Sequence, residues 1–405
     1  MRVLEGLVRP YAWGSRTAIA TIRGLPTPSA HPEAELWFGA HPAGQAQCLD
    51  ADGRPEEGLL TLIENDPIAA LGSPVVDEFG VRLPYLLKVL AAEEPLSLQA
   101  HPSSAQAAEG FARENAAGIR LDAPERNYRD PWHKPEVVLA VTPFDALAGF
   151  RDPAHTVDLL RELALPALDP YLGMIAGQPD SDGLRALFTT WITLPESVLA
   201  DLVPAVIDAA VGVLAAGGTA FDDELRTLLE LGEAYPRDPG VLASLLLNRI
   251  HLEPGEALYL AAGNLHAYLR GTAIEIMANS DNVIRGGLTS KHIDVSELVT
   301  VVDFDPWLPE VLLPRQTRPG VFKYETPCSE FEAWRLSVDG STGPVRVPGR
   351  GSARILMVTE GHCVLDDGHS RLDLPRGRAA FLSAEERDVY VSGAAELYGT
   401  SSGIR

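Results

Sequence analysis

Between residues 151 and 245 the apolar side chains recur every three to four positions, in stretches such as "TVDLLRELA", "SDGLRALFTTWI" and "SVLADLVPAVIDAAVGVLAAG". On both sides of this block the texture changes to short apolar runs broken by Gly, Pro and Asp. The first spacing lines one side of a helix with apolar groups; the second suits strands and turns. A helical block between two strand-rich stretches constrains the chain strongly, because the strands on either side then belong to one sheet system interrupted by an insert. The expected fold is mainly β with an α insert. Residues 1–150 form the first part of a β domain, 151–245 a helical insert, 246–315 the second part of that domain, and 316–405 a further β domain. The last of these has short, evenly spaced strands that suit a small antiparallel sandwich or barrel. Within the first part a helix is expected after Pro102, where Ser precedes good helix formers.

Composition removes several function classes. The 405 residues are 46% hydrophobic, enough for two or three domains with sizeable cores. A net charge of −23 argues against nucleic acid or an anionic membrane as partner. No apolar run is expected to reach membrane-spanning length, and "MRVLEGLVRPYAWGS" lacks the apolar core of a secretory signal. Cys48, Cys328 and Cys363 are far apart and odd in number, which points to reduced thiols in the cytoplasm rather than a disulfide framework or a thiolate metal site. No obligate protein partner is evident. Only four of the 33 basic residues are lysines, Lys88, Lys134, Lys291 and Lys323, and three of these fall in stretches that look chemical for other reasons.

The first such stretch is "SLQAHP". Strand alternation puts Leu96, Leu98 and Ala100 on one face and Ser97, Gln99 and His101 on the other. The second is "NYRDPWHKPEVVLAV", where Lys134 and Glu136 share a face as the chain enters an apolar strand. A carboxylate buried there without a partner costs several kcal/mol, a need that an ion pair with Lys134 already meets. The third follows "PGEALYL" and packs His266, Glu275, Asn279, Asp281, Asn282, Arg285 and Lys291 into 26 residues beside Ile274, Ile276 and Met277. Together His101, His266 and Glu136 offer two imidazoles and a carboxylate, a set that suits Zn²⁺ or a similar divalent ion, with Gln99 as a fourth, neutral oxygen ligand. The spacing matches neither a zinc finger nor HExxH. "PGEALYLAAGNLHAY" has the glycine-turn-strand form seen in cupins. The later histidines, His362 and His369 in "EGHCVLDDGHS", read as turn residues, so the C-terminal cupin-like domain is expected to carry no metal.

The chain resembles the type I phosphomannose isomerases, zinc-dependent aldose–ketose isomerases of the cupin class. The likeness is carried by "YAWGS" (11–15), "AELWFGAHP" (34–42), "LPYLLKVL" (83–90), "PLSLQAHP" (95–102), "YRDPWHKPE" (128–136) and the run 266–291. Trp132 stands where the family usually has Asn, and Gly286 and Ser290 depart from the usual R-A-G-x-T-P-K; these changes are expected to reshape the pocket rim. The resemblance implies a catalytic cupin (β jelly-roll) domain binding one Zn²⁺ through Gln99, His101, Glu136 and His266. It places the family's catalytic arginine on Arg285, with Trp13, Glu35, Lys88, Ser97, Lys134, Glu275 and Lys291 lining the site. The implied reaction interconverts mannose 6-phosphate and fructose 6-phosphate by proton transfer through a cis-enediol. Arg285 would stabilise the enediolate, and Lys88, Ser97 and Lys291 would contact phosphate; Glu275, Lys134 and His266 are all open as the base. Trp37, His41 and His133 are read as structural, Asp281 and Asn282 as loop formers. Three rival readings share the metal core: an isomerase of another sugar phosphate, an inactive sugar-phosphate sensor and an iron-dependent oxygenase.

Overall fold

The computed structural model describes residues 1–50, 52–341, 343–386 and 388–404. Tyr85–Ala92 (YLLKVLAA) and Glu136–Ala140 (EVVLA) are buried at every residue, as near-continuous apolar runs are when both faces of a strand are covered. They lie in an 11-stranded sheet whose main path runs Val311–Leu312, Ala257–Leu260, Glu136–Ala140, His266–Ala278, Tyr85–Ala92, Glu35–Phe38, Leu7–Arg9. Strands before and after the helices thus interleave in one layer.

The 13-residue strand His266–Ala278 ties this layer together. Its first part pairs with Phe144–Phe150, and its second with Glu136–Ala140 and Tyr85–Ala92. The changeover falls at Gly271, whose φ is +123° and where an added Cβ would approach the Pro143 carbonyl oxygen to 2.6 Å. Only glycine tolerates both conditions. A single strand therefore carries His266 and Glu275 into the same region.

The helices run from Pro153–Glu162 to Pro239–Ala243. Leu159, Leu187, Phe188, Trp191, Val206 and Leu228 form their core, and Leu98 and Ala100 belong to the same cluster. The apolar face of "SLQAHP" thus seats on the helical block, leaving Ser97 and Gln99 free to face elsewhere. Helix Ser104–Ala116 starts with Ser103 and Gln106 in a reciprocal capping box, as the Ser signal predicts. One expectation needs correcting. Helix Glu196–Ala216, with a mean hydropathy of 2.0, is long and apolar enough by length and composition to cross a bilayer. Its Leu199, Leu202, Val203, Val206 and Ala210 are buried in the helical core, while Asp201 and Asp208 are exposed.

The C-terminal strands make a second 11-stranded sheet centred on Arg354–Asp366 and Tyr390–Ser401. Three early strands, Arg2–Glu5, Gln47–Leu49 and Pro55–Gly58, extend it, with Leu4 opposite Ala379. The texture changes read at 150 and 316 coincide with the end of strand Phe144–Phe150 and the start of strand Arg315–Arg318, but sheet membership is not contiguous in sequence, because strands from the first 58 residues join the C-terminal sheet. Pairing covers the free edge of strand Ala379–Leu382, a long-range choice that local texture does not encode. His369 sits in a turn, but His362 lies within strand Arg354–Asp366, its Nε2 2.7 Å from Asp373 Oδ1.

Candidate metal centre and active site

Five strands bring their chemistry to one place through register. Gln99, on strand Leu98–Ala100, pairs with His266 on one side and with Arg285 of strand Ile284–Gly287 on the other. Glu136 heads its strand beside Met277, and Glu275 lies directly opposite Lys88. Residues far apart in sequence thus become neighbours across ladders whose side chains on one face stand about 5 Å apart.

His101, Glu136 and His266 form a buried group whose ligand atoms all lie within 4.8 Å of one another. The Glu136 carboxylate bridges the imidazoles, with Oε2 3.3 Å from His101 Nε2 and Oε1 3.0 Å from His266 Nε2. On the far side of each ring, Nδ1 donates to a backbone carbonyl: His101 to Asn282 at 2.8 Å and His266 to Asn264 at 3.0 Å. Those bonds fix the tautomer and turn both Nε2 lone pairs toward the carboxylate. Burial, reinforced by the Lys134 charge, lowers the His101 pKa to about 4, so its ring is neutral at pH 7. Burial pushes the Glu136 carboxyl up, but Lys134 and the two histidines outweigh it and hold the group well below the usual carboxylate range. Glu136 Oε2 is buried and accepts no well-aligned hydrogen bond, its close neighbours being the Lys134 ammonium and His101 Nε2. Two imidazole nitrogens and an ionised carboxylate converging on one point fit a divalent metal, and zinc in particular.

Beside this group lies a cavity of about 490 Å³. Trp13, Glu35, Lys88, Ser97, Gln99, Lys134, Arg285 and Lys291, all named from the sequence, line it. Glu275 stands behind Lys88, its Oε2 2.8 Å from the ammonium, with Glu35 3.9 Å away on the other side. Burial alone would depress Lys88, but the two carboxylates outweigh it and hold its pKa above the ordinary value. Burial keeps the Glu275 carboxyl above its ordinary pKa despite Lys88. Lys134 lies 3.2 Å from Glu136 Oε2 and 3.4 Å from His101 Nε2, joining the cavity to the metal group.

At another part of the wall, Arg285 and Lys291 stand near Arg129. Burial and the Arg129 charge lower the pKa of Arg285, and burial, Arg285 and Arg129 lower that of Lys291. Among the described residues, none of the three side chains has an acidic partner within salt-bridge distance. Like charges gathered without counter-charge in a protein of net charge −23 form a wall whose charge suits an anion.

The sequence reading missed Arg129, Arg9 and Tyr11, all of which line the cavity. Arg129 lies inside "YRDPWHKPE", and an arginine beside three motif positions was the available signal. Trp37, His41 and Asp281 also belong to the wall, where the sequence reading made them packing or loop residues. His41 Nε2 is 3.3 Å from Asp281 Oδ1, and Trp37 Nε1 donates to Glu35 Oε2 at 2.7 Å. Asn282 does shape a loop, accepting from the Arg129 N–H and donating to the carbonyls of Asp130 and Trp132. His133 turns away to Glu330, 2.5 Å distant. Of the departures from the family pattern, only Ser290 lines the cavity. Trp132 lies under the Arg82 guanidinium at 4.2 Å, and Gly286 packs where an added Cβ would meet Leu265 at 3.2 Å.

Residues 1–153 match the sequence profile of the phosphomannose isomerase type I catalytic domain. The chain is 39% identical to the mannose-6-phosphate isomerase of Escherichia coli over 401 residues, 98% of each chain. It is 34% identical to the human mannose-6-phosphate isomerase over 410 residues, 95% of this chain and 93% of that one. A crystal structure of mannose 6-phosphate isomerase from Salmonella typhimurium, bound to fructose 6-phosphate and zinc, superposes with a TM-score of 0.89 at 37% identity and covers both chains completely. Similarity of this extent, spanning both sheets and the helical block, establishes that the chain belongs to the type I phosphomannose isomerase family.

Proposed function

We infer that this chain is a zinc-dependent isomerase that interconverts mannose 6-phosphate and fructose 6-phosphate. The observation that carries the reading is one cavity, lined by Lys88 and by three cations without counter-charge, that lies against a buried His–Glu–His group through Gln99 and Lys134 and has Glu275 behind Lys88. A sugar phosphate needs all three: a site for its hydroxyl and carbonyl oxygens, a proton carrier at C2 and C1, and a receptor for its dianion.

In this proposal Gln99, His101, Glu136 and His266 hold zinc, which when bound supplies Lewis-acid polarisation of the substrate oxygens. Arg129 and Lys291 bind the phosphate. Arg285, across one ladder rung from Gln99, stands between the two ends, where its fixed charge stabilises the enediolate as it forms. A guanidinium that stays protonated serves that role and is a poor base. His266 drops out as the base, because Nδ1 is held by Asn264 and Nε2 faces Glu136. Glu275 is the carboxylate made more basic by burial, and we assign it the base role through Lys88: the ammonium passes one proton to Glu275 as its nitrogen takes the C2 proton, and the pair returns a proton at C1 in reverse. Lys88 is thereby a proton carrier rather than a phosphate contact, since two carboxylates already engage its charge. Lys134 fixes the charge beside Glu136. The net charge disfavours nucleic acids and anionic membranes as partners, and Cys48, Cys328 and Cys363 are free, as suits a reducing cytoplasm.

A coupled assay with mannose 6-phosphate, mannose and other aldose 6-phosphates tests the reading. Fructose 6-phosphate must form from mannose 6-phosphate, and turnover must collapse on unphosphorylated mannose. Equal or faster turnover of another sugar phosphate would overturn the substrate assignment, and binding without turnover would support a sensor.

A further inference from the structure

The helical block touches the cavity at one short segment, between helices Asp222–Ala234 and Pro239–Ala243. Tyr235, which lines the cavity, donates from its hydroxyl to the Pro95 carbonyl at 2.7 Å, two residues before Ser97. Asp238 reaches the opposite wall. Its Oδ1 accepts from the backbone N–H of Gly240 at 2.7 Å and of Leu288 at 2.8 Å, and its Oδ2 accepts from the N–H of Thr289 at 3.1 Å. One carboxylate thus binds the helical block to the turn between Arg285 and Lys291.

That turn needs holding. Gly287 has φ +138° and Leu288, a non-glycine residue, has φ +53°. A left-handed leucine carries a conformational cost that its surroundings must offset. The contact is also close: a Cβ on Gly240 would stand 2.7 Å from Leu288 N, and one on Gly287 would stand 2.7 Å from Gly240 Cα. Thr289, Ser290 and Lys291, which follow immediately, line the cavity, and Thr289 Oγ1 accepts from the Lys291 N–H at 3.1 Å. A shift at 288–289 therefore moves Lys291 relative to Arg285. Asp238 itself is absent from the cavity wall, so it acts through the backbone.

We propose that Asp238 is a positioning residue for phosphate recognition, clamping the 288–289 turn so that Arg285 and Lys291 converge on the 6-phosphate of the substrate. This rests on the anion site assigned above. It gives the helical block a function: it fixes which charge geometry the barrel presents, and with it the preference for phosphorylated sugars. Bonds from N–H groups to a carboxylate are stronger than those between neutral groups, and losing two from a strained turn is a large local change.

The test uses the zinc-loaded full-length protein and its Asp238→Ala and Asp238→Asn variants. Binding of inorganic phosphate is measured by calorimetry, alongside kcat, KM, zinc content and the melting midpoint. Asp238→Ala should weaken phosphate binding and raise KM for mannose 6-phosphate by roughly tenfold each, with a smaller fall in kcat and unchanged zinc. Asp238→Asn, which keeps one acceptor oxygen, should recover part of both losses. If the alanine variant does not fold, the asparagine variant carries the test through its own phosphate affinity and KM. Phosphate affinity and KM within twofold of the parent in a folded variant would overturn the proposal. So would a fall in kcat with KM unchanged, or restored stability without restored phosphate affinity in Asp238→Asn. If the parent binds phosphate but does not turn over mannose 6-phosphate, the isomerase reading fails while the clamp stands or falls on phosphate affinity alone.

Discussion

The two β regions use similar antiparallel ladders for opposite ends. In the sheet around His266–Ala278, strands buried along all or most of their length carry Lys88, Glu136, His266 and Glu275. In the C-terminal sheet the corresponding interior is Trp334, Leu336, Leu356, Val358, Leu374 and Leu397, and His362 and His369 lie at the surface. Isolated buried charges cost several kcal/mol each, so the first region keeps them only by pairing every one: Lys88 with Glu275 and Glu35, Glu136 with Lys134 and two imidazoles. The second region's interior is mostly packing; its buried cation, Arg354, donates to the Glu386 carbonyl, and no metal-binding group of side chains lies beside it among the described residues. The lesson is that a shared strand architecture carries no activity by itself; activity lives in the few interior positions where polar groups are held against the tendency to exclude them.

If that contrast is right, the strongest effect comes from the metal group. His101→Ala or Glu136→Ala should remove zinc and lower turnover by about three orders of magnitude or more, read from metal analysis and the coupled assay. Arg285→Ala should keep zinc and fold but reduce kcat by roughly 10²–10³; a change confined to KM would make Arg285 a phosphate contact instead. Glu275→Leu should cost about 3–5 kcal/mol of stability in denaturant melts, because it strands the Lys88 charge, and Lys88→Met in the same chain should restore part of it. On the other side, Leu397→Ala should cost about 2–5 kcal/mol through cavity formation while zinc per folded chain stays constant.

The smallest effect sharpens the border between the regions. Glu330, from the C-terminal stretch, reaches His133 in the motif that carries Lys134 and Glu136. Burial pushes its carboxyl up, but the hydrogen bond from His133 outweighs it and holds the pKa below the ordinary value. A carboxylate depressed in the folded state contributes stability that is complete above its unfolded pKa, near 4.3, and is lost as pH falls through the folded value. Glu330→Gln should therefore lower stability at neutral pH, converge with the parent at low pH where that contribution is already lost, and so flatten the acid limb of the stability profile. An acid limb identical to the parent would remove this contact from the account.

Much of the metal group was legible because its constraints are local: strand alternation sets Gln99 and His101 on one face, and a carboxylate heading an apolar run demands a partner. The helical block was legible for the same reason, through its three-to-four spacing. What stayed hidden depends on long-range pairing. Nothing near Arg2–Glu5 says that its partner is Ala379–Leu382, and nothing near Asp238 says that its carboxylate will hold Leu288 and Thr289. His41 and Asp281 read as bland for the same reason, since each becomes a cavity residue only when the other stands beside it. Lys88 shows a subtler limit. It lines the cavity as expected, but its two carboxylate neighbours come from other strands, and they are why we propose it for the proton-transfer pair rather than as a phosphate contact.

The most direct measurement of the central claim is turnover of mannose 6-phosphate on metal-analysed protein before chelation, after it and after zinc is returned. The account predicts one zinc per chain, loss of activity with the metal and recovery with zinc, in the parent but not in His101→Ala. Activity that persists in protein stripped of metal, or that returns with zinc in His101→Ala as fully as in the parent, would contradict it.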